Sequence, residues 1–237
     1  INFIDLLLVD TKYLNADSFV EAETDEANFA PNAANLEIMK DKDVHYRVYS
    51  LLPDRFNESI TAYFHRCIGG YHPAKLRIYQ DLIETQLSKN NMNVLNMLDT
   101  RYFILPPQQQ QDTYKAHKND SAYGACWLVK NVQFVNGPVA EIQALDTLQP
   151  LHTAVIDQSF QTIIPNNIQF DSTAEIKLTH YDNDTIYYDF KANTPQLAVF
   201  SEIYYPAGWN AYIDNKKVSY CKANYVLRAL LLPAGTH

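Results

Sequence analysis

The chain has 237 residues, a formal net charge of −8 and a hydrophobic fraction of 47%. This apolar content is enough for a packed core and argues against a disordered chain, and the length fits one large domain or two small ones. The acidic balance argues against a nucleic-acid partner, because phosphate contacts need clustered lysines and arginines.

The first half of the chain predicts alternating helices and strands. Polar residues 13–43 indicate helix turns and loop, and residues 44–52 (VHYRVYSLL) predict a strand. Pro73 suits the first turn of a helix, and the apolar residues that follow, up to Leu87, recur every three or four positions, which predicts an amphipathic helix of about four turns. A short helix around residues 94–98 and a strand at 102–105 complete this region.

Residues 106–121 (PPQQQQDTYKAHKNDS) predict a linker or a long exposed loop, because they combine two prolines with a glutamine run. A domain boundary is therefore predicted between residues 1–118 and residues 119–237.

The second half predicts mostly strands. Residues 126–135 indicate one strand or two, and residues 139–148 a short helix. Residues 176–180 and 186–190 alternate apolar and polar side chains around an Asp-Asn-Asp turn, which predicts a hairpin with one buried face. Residues 197–205 predict a strongly apolar strand, and residues 218–232 are long enough for two strands or one bent strand. The predicted fold class is α+β, with an N-terminal mixed α/β region followed by a C-terminal antiparallel β-sandwich.

Few motifs in the sequence carry chemistry of their own. The three cysteines, Cys67, Cys126 and Cys221, are far apart, which leaves open either three free thiols or one disulfide. We expect no metal site, no cofactor and no catalytic residue, because zinc, nucleophile-elbow and metalloprotease motifs are all missing. No stretch of about 18 apolar residues predicts a membrane-spanning helix.

Three segments resemble the extracytoplasmic region of YfhO-type polytopic membrane proteins, in the form common in Bacteroidetes. The segments are residues 63–80 (YFHRCIGGYHPAKLRIYQ), 93–104 (NVLNMLDTRYFI) and 198–235 (AVFSEIYYPAGWNAYIDNKKVSYCKANYVLRALLLPAG). They occur in the family's order and are long and rich in tryptophan, tyrosine and glycine. The resemblance covers less than a third of the chain.

This resemblance implies a domain on the extracytoplasmic, periplasmic side of the plasma membrane. It implies flanking transmembrane helices of the same protein as partners, and a likeness to GT-C glycosyltransferases, which use polyprenyl-phosphate sugars. The catalytic carboxylate of that class lies in an earlier outer loop, so the chain alone is expected to be inactive. Apolar residues 1–9 and the end of the chain after residues 233–235 indicate trimming at membrane boundaries, so both termini are expected on one side of the molecule.

Two groups of residues are candidate ligand-binding sites. In the first group, a Gly-Gly pair, basic side chains and a helix beginning near Pro73 predict an anion site. The alternative is that the glycines only break the chain and the basic residues form a solvated face. This group comprises His65, Arg66, Gly69, Gly70, Tyr71, His72 and Lys75.

The second group is a set of aromatic residues around a turn, from which Trp209 and Tyr212 are predicted ligand-binding residues. Aromatic faces stack on sugar rings, and they also anchor at membrane interfaces. Tyr204 and Tyr205 belong to the same group. The alternative is that these side chains simply form core and sandwich edge.

Two functions fit these observations. One is an accessory domain of a membrane glycosyltransferase-like protein, which positions a lipid-linked sugar or an acceptor glycan. The other is a non-enzymatic module that binds cell-envelope glycan or protein. Reading the full gene separates them, because several spanning helices with an acidic first outer loop favour the enzyme and a single anchor favours the binder. An independent hydrolase fits least well.

Overall fold

The computed structural model describes residues 2–19, 21–108 and 113–237. The helices, in chain order, are α1 (Asn2–Tyr13), α2 (Ala22–Asn28), α3 (Ala33–Ile38), α4 (Ile60–Phe64), α5 (Arg77–Leu82), α6 (Met92–Met97) and α7 (Gly137–Ala144). The first seven strands are β1 (Arg47–Ser50), β2 (Thr100–Leu105), β3 (Lys115–Lys118), β4 (Cys126–Val129), β5 (Asn131–Val135), β6 (Thr153–Asp157) and β7 (Glu175–Tyr181). The other seven are β8 (Ile186–Ala192), β9 (Gln196–Ile203), β10 (Ala211–Ile213), β11 (Lys216–Val218), β12 (Cys221–Ala223), β13 (Leu227–Leu232) and β14 (Gly235–Thr236).

The N-terminal region mixes helices with a small sheet. Strand β1 runs parallel to β2, and β3 pairs antiparallel with the other edge of β2. Val48 and Tyr49 of β1 are fully buried. Helix α5 continues as one π-helical turn (Ile83–Leu87), and this turn and α6 supply much of the apolar packing.

The central sheet of the C-terminal region has the order β12-β13-β9-β4 and is antiparallel throughout. Leu197, Ala198 and Val199 of β9 are all fully buried. Successive side chains of a strand point to opposite faces of its sheet, so both faces of this sheet are covered. This is why β9 is a continuous apolar run and shows no alternation.

A second sheet, with the order β14-β8-β7, packs on one face of the central sheet. Phe190 of this sheet meets Ala198, Leu230 and Leu232 of the central sheet in one apolar cluster. The predicted hairpin is present as β7 and β8, with alternating burial along β7. The two antiparallel sheets confirm the predicted α+β class with its C-terminal sandwich.

The main hydrophobic core lies on the other face of the central sheet. It combines Tyr49 and Leu95 from before position 118 with Trp127, Ile156 and other residues after it. Helix α7 connects β5 and β6, which pair in parallel. Strand β4 pairs with β9 of the central sheet, whereas β5 pairs with β6, so residues 126–135 form two strands that belong to different sheets.

Two local predictions were wrong. The helix predicted to begin near Pro73 begins at Arg77, because Leu76 has an extended backbone and residues 73–74 form a turn. The predicted linker contains strand β3, because the backbone of Lys115–Lys118 pairs with the edge of β2. Residues 109–112 of that linker lie outside the described residues.

All three cysteines are free thiols. The predicted domain division at position 118 stays a prediction.

Candidate functional site

A cleft of about 750 Å³ opens between the two sheets of the sandwich, beside the hairpin of β10 and β11. Its wall carries the aromatic side chains Trp209, Tyr212 and Tyr220. Two charged side chains, Glu202 and Arg228, also line it. Aromatic walls with a few polar groups are typical of small-ligand sites.

An irregularity in β9 places Glu202 at the cleft. Arg228 of β13 pairs with Phe200, whereas the preceding Leu227 pairs with Ile203, so Ser201 and Glu202 have no partners on β13. Such bulges re-aim side chains and are frequent beside functional sites. The Ser201 hydroxyl lies 2.8 Å from the carbonyl oxygen of Met97 and 2.7 Å from that of Gly124, and its one proton bonds to either of them, which anchors the bulge.

Arg228 stands over the indole of Trp209, with 4.3 Å between its guanidinium carbon and the ring centroid. Its Nε donates to the carbonyl oxygen of Ile203 at 3.0 Å. The hydroxyl of Tyr220 donates to the carbonyl oxygen of Trp209 at 3.2 Å. These contacts fix the orientation of both the guanidinium plane and the indole.

Tyr188 lines the same cleft from β8 and packs edge-on against Phe200, with ring centroids 4.8 Å apart. Its hydroxyl is buried and has no hydrogen-bond partner among the described residues. Burial raises the pKa of this hydroxyl above its ordinary value, so Tyr188 is neutral and can donate a hydrogen bond. This hydrogen-bonding capacity is therefore unused in the interior of the sandwich, beside the cleft.

Behind the cleft, Glu202 belongs to a buried charged network around His45. His45 is 3% exposed. Its Nδ1 lies 2.8 Å from Oδ2 of Asp99, and its Nε2 lies 2.9 Å from Oε1 of Glu202. Arg47 contributes a further contact of 3.5 Å to the same Glu202 oxygen.

These contacts set the charges of the network. Burial alone lowers the pKa of His45, but the hydrogen bonds to Asp99 and Glu202 outweigh it and raise that pKa above 6.5. Burial raises the pKa of Glu202, but the hydrogen bond from His45 and the charge of Arg47 bring it below 4.5. At neutral pH, Glu202 is therefore ionised and its charge is compensated from behind the cleft.

The residues of the first predicted site, the proposed anion site, make contacts within the protein. Arg66 donates to the carbonyl oxygen of Val44 at 2.8 Å and stacks over the ring of Tyr181 at 3.9 Å. Lys75 donates to the carbonyl oxygen of Gly70 at 3.3 Å. His65 is buried and bonds to Asn35 at 3.0 Å, and burial lowers its pKa.

The Gly-Gly pair serves a close approach between two loops. A side chain at Gly69 would place its Cβ 2.0 Å from the carbonyl oxygen of Arg55, and the Gly70 N–H donates to that oxygen at 2.8 Å. His72 accepts from the backbone of Ala74 at 3.1 Å, while Tyr71 is exposed. Because the following helix begins only at Arg77, its free N–H groups do not lie at Pro73, where they were predicted. The anion site itself stays a prediction.

Trp209 and Tyr212, the second predicted group, both line the cleft. Sequence reasoning missed Arg228 and Glu202. The available signal was a charged residue inside an otherwise apolar strand, as in LRALLL for β13 and QLAVFSEI for β9. A charge at a buried strand position needs a partner, so such a residue marks a network or a ligand site.

Comparison of the chain with protein-family models, with curated proteins and with solved structures found no match. Within residues 2–19, 21–108 and 113–237, no helix has the length and apolar character needed to cross a bilayer. The same residues contain no cluster of three or more histidine, cysteine, aspartate or glutamate side chains able to hold a metal ion.

Proposed function

We propose that the chain is a glycan-binding module and that the sandwich cleft holds the sugar. The supporting observation is a cleft of about 750 Å³ whose wall carries aromatic side chains beside charged and polar ones. Sugar rings combine an apolar face with a rim of hydroxyls, and this composition of the cleft suits both parts.

The wider role we propose is the one implied by the resemblance to YfhO-type proteins. There, the module would lie on the extracytoplasmic side of a membrane protein and present an acceptor glycan or a lipid-linked sugar to it. The alternative is a cell-envelope binding module without an associated enzyme. The first role requires glycan binding, whereas the second allows a glycan or a protein ligand. Residues 198–235, which carry much of the resemblance, include Trp209, Tyr212 and Arg228 of the cleft.

An array of bacterial envelope oligosaccharides tests the binding function directly. We expect the full chain to bind a subset of the array, and Trp209→Ala to weaken that binding by about tenfold or more, because an indole contributes a large stacking surface. Trp209→Phe keeps an aromatic face and should retain part of the affinity. Surface plasmon resonance with the tightest oligosaccharide gives the affinities.

Tyr13→Ala is the matched control for loss of an exposed aromatic side chain, since Tyr13 is 77% exposed on α1 and does not line the cleft. This variant should bind like the original chain. Failure of every oligosaccharide to bind, or equal binding by Trp209→Ala, would contradict the proposed function.

A further inference from the structure

The Arg228 guanidinium has unused donors. Among the described residues, Arg47, Arg77 and Arg101 each contact a carboxylate, whereas Arg228, like Arg55 and Arg66, forms no salt bridge. A guanidinium carries five N–H donors. The Nε of Arg228 donates to the carbonyl oxygen of Ile203. The donors on its two Nη atoms have no acceptor among the residues that the structure describes.

The Arg228 side chain is partly buried. Burial lowers the pKa of Arg228, which means that its charge is incompletely solvated in the cleft. Tyr188 lines the same cleft, but its hydroxyl is buried and is not a donor that a ligand can reach.

Glu202 does not occupy these donors. Its carboxylate contacts His45 at 2.9 Å and Arg47 at 3.5 Å. The positive charges of both partners lie behind the cleft wall and compensate the carboxylate, which also interacts electrostatically with Arg228 within the cleft. The other two acidic residues of the cleft are Asp184 and Asp214, and Asp214 is paired with His237 at 2.8 Å.

We propose that the cleft selects a glycan containing a hexuronic acid, whose carboxylate accepts hydrogen bonds from the Nη atoms of Arg228. This inference rests on the proposed glycan-binding function and specifies its ligand class. A carboxylate has two oxygens in one plane, which match the fork of a guanidinium. Trp209 holds that fork in a fixed plane by stacking, so the arginine is oriented before the ligand arrives.

Isothermal titration calorimetry of the full chain with glucuronate, glucose and glucose 6-phosphate at one ionic strength tests this inference. Glucuronate should bind about tenfold or more tighter than glucose, because hydrogen bonds to charged groups are the stronger kind. Because a guanidinium fork matches a phosphate as well as a carboxylate, glucose 6-phosphate is the anionic control, and the proposal requires it to bind more weakly than glucuronate. Equal binding of glucose 6-phosphate would show an anion site without carboxylate selectivity and would overturn the proposal.

Variants separate this inference from the proposed function. Arg228→Gln should bind glucuronate and glucose equally, Arg228→Lys should recover only part of the preference, and Tyr188→Phe, which removes a hydroxyl buried beside the cleft, should keep it. Circular dichroism checks folding of each variant. If the array detects a glycan whose binding needs Trp209, but glucuronate has no Arg228-dependent preference, the ligand class is wrong while the function stands.

Discussion

Replacing His45 with alanine is expected to lower the free energy of unfolding by about 3–5 kcal/mol, the usual cost of removing one partner from a buried charged pair. His45 is the shared partner of Asp99 and Glu202, at 2.8 and 2.9 Å. Asp99 is fully buried, and its Oδ1 already has no partner among the described residues. Without His45, both carboxylates lose their closest hydrogen-bond donor. Urea unfolding followed by circular dichroism measures the effect.

His152→Ala is the matched control, because this histidine is exposed and such surface changes alter stability by at most about 0.5 kcal/mol.

The stability of the original chain should also depend on pH. The raised pKa of His45 gives stability that is full below pH 6.5 and lost as the pH rises through the folded-state pKa. The lowered pKa of Glu202 gives stability that is full above pH 4.5 and lost on acidification. Both contributions are present in full between pH 4.5 and pH 6.5. His45→Ala should remove the loss of stability on the alkaline side of that range.

Replacing Glu141 with alanine is expected to cost a similar amount, about 3–5 kcal/mol. Glu141 of α7 is fully buried. Its carboxylate accepts the backbone N–H of Tyr225 at 3.1 Å and contacts Nζ of Lys222 at 2.6 Å. Tyr225 lies in the loop between β12 and β13 with a φ of 70°, a backbone conformation that is costly for a residue with a side chain. Glu141 therefore holds the hairpin of β12 and β13. Because this hairpin carries Arg228, the cleft depends on Glu141.

Two further variants separate the hydrogen bond of Glu141 from its charge. Glu141→Gln keeps an acceptor for Tyr225 and should be less damaging than alanine in the same urea experiment. Burial raises the pKa of Glu141, and the hydrogen bond and charge of Lys222 offset only part of that effect. The double variant Glu141→Leu with Lys222→Met should therefore be more stable than Glu141→Ala. A double variant as unstable as Glu141→Ala would contradict this explanation.

The sequence predicts those parts of the fold that depend on local patterns. Alternation along β7 and β8 and the continuous apolar run of β9 identify the sandwich, because burial of one face or of both faces is visible in the spacing. Strand β3 was missed because its residues are polar, and only the tertiary partner β2 makes them a strand. The start of α5 was misplaced because Pro73 is compatible with both a turn and a helix start.

The candidate site shows the same division between local and distant information. Trp209 and Tyr212 are recognisable from the sequence because they are aromatic residues clustered at a turn. The two side chains that His45 contacts lie 54 and 157 positions away from it along the chain. No spacing rule reaches that far. Arg228 and Glu202 meet at the cleft only because β9 and β13 pair with a bulge.

The most direct test of the glycan-binding cleft uses the two tryptophans of the chain. Trp209 lines the cleft, whereas Trp127 is 6% exposed and its indole N–H donates to the carbonyl oxygen of Pro150 at 2.8 Å. A ¹⁵N-labelled chain is titrated with the oligosaccharide that binds tightest on the array, and both indole signals are followed by NMR. We expect the Trp209 signal to shift and the Trp127 signal to stay in place. A titration that shifts neither signal, or Trp127 alone, would contradict the account.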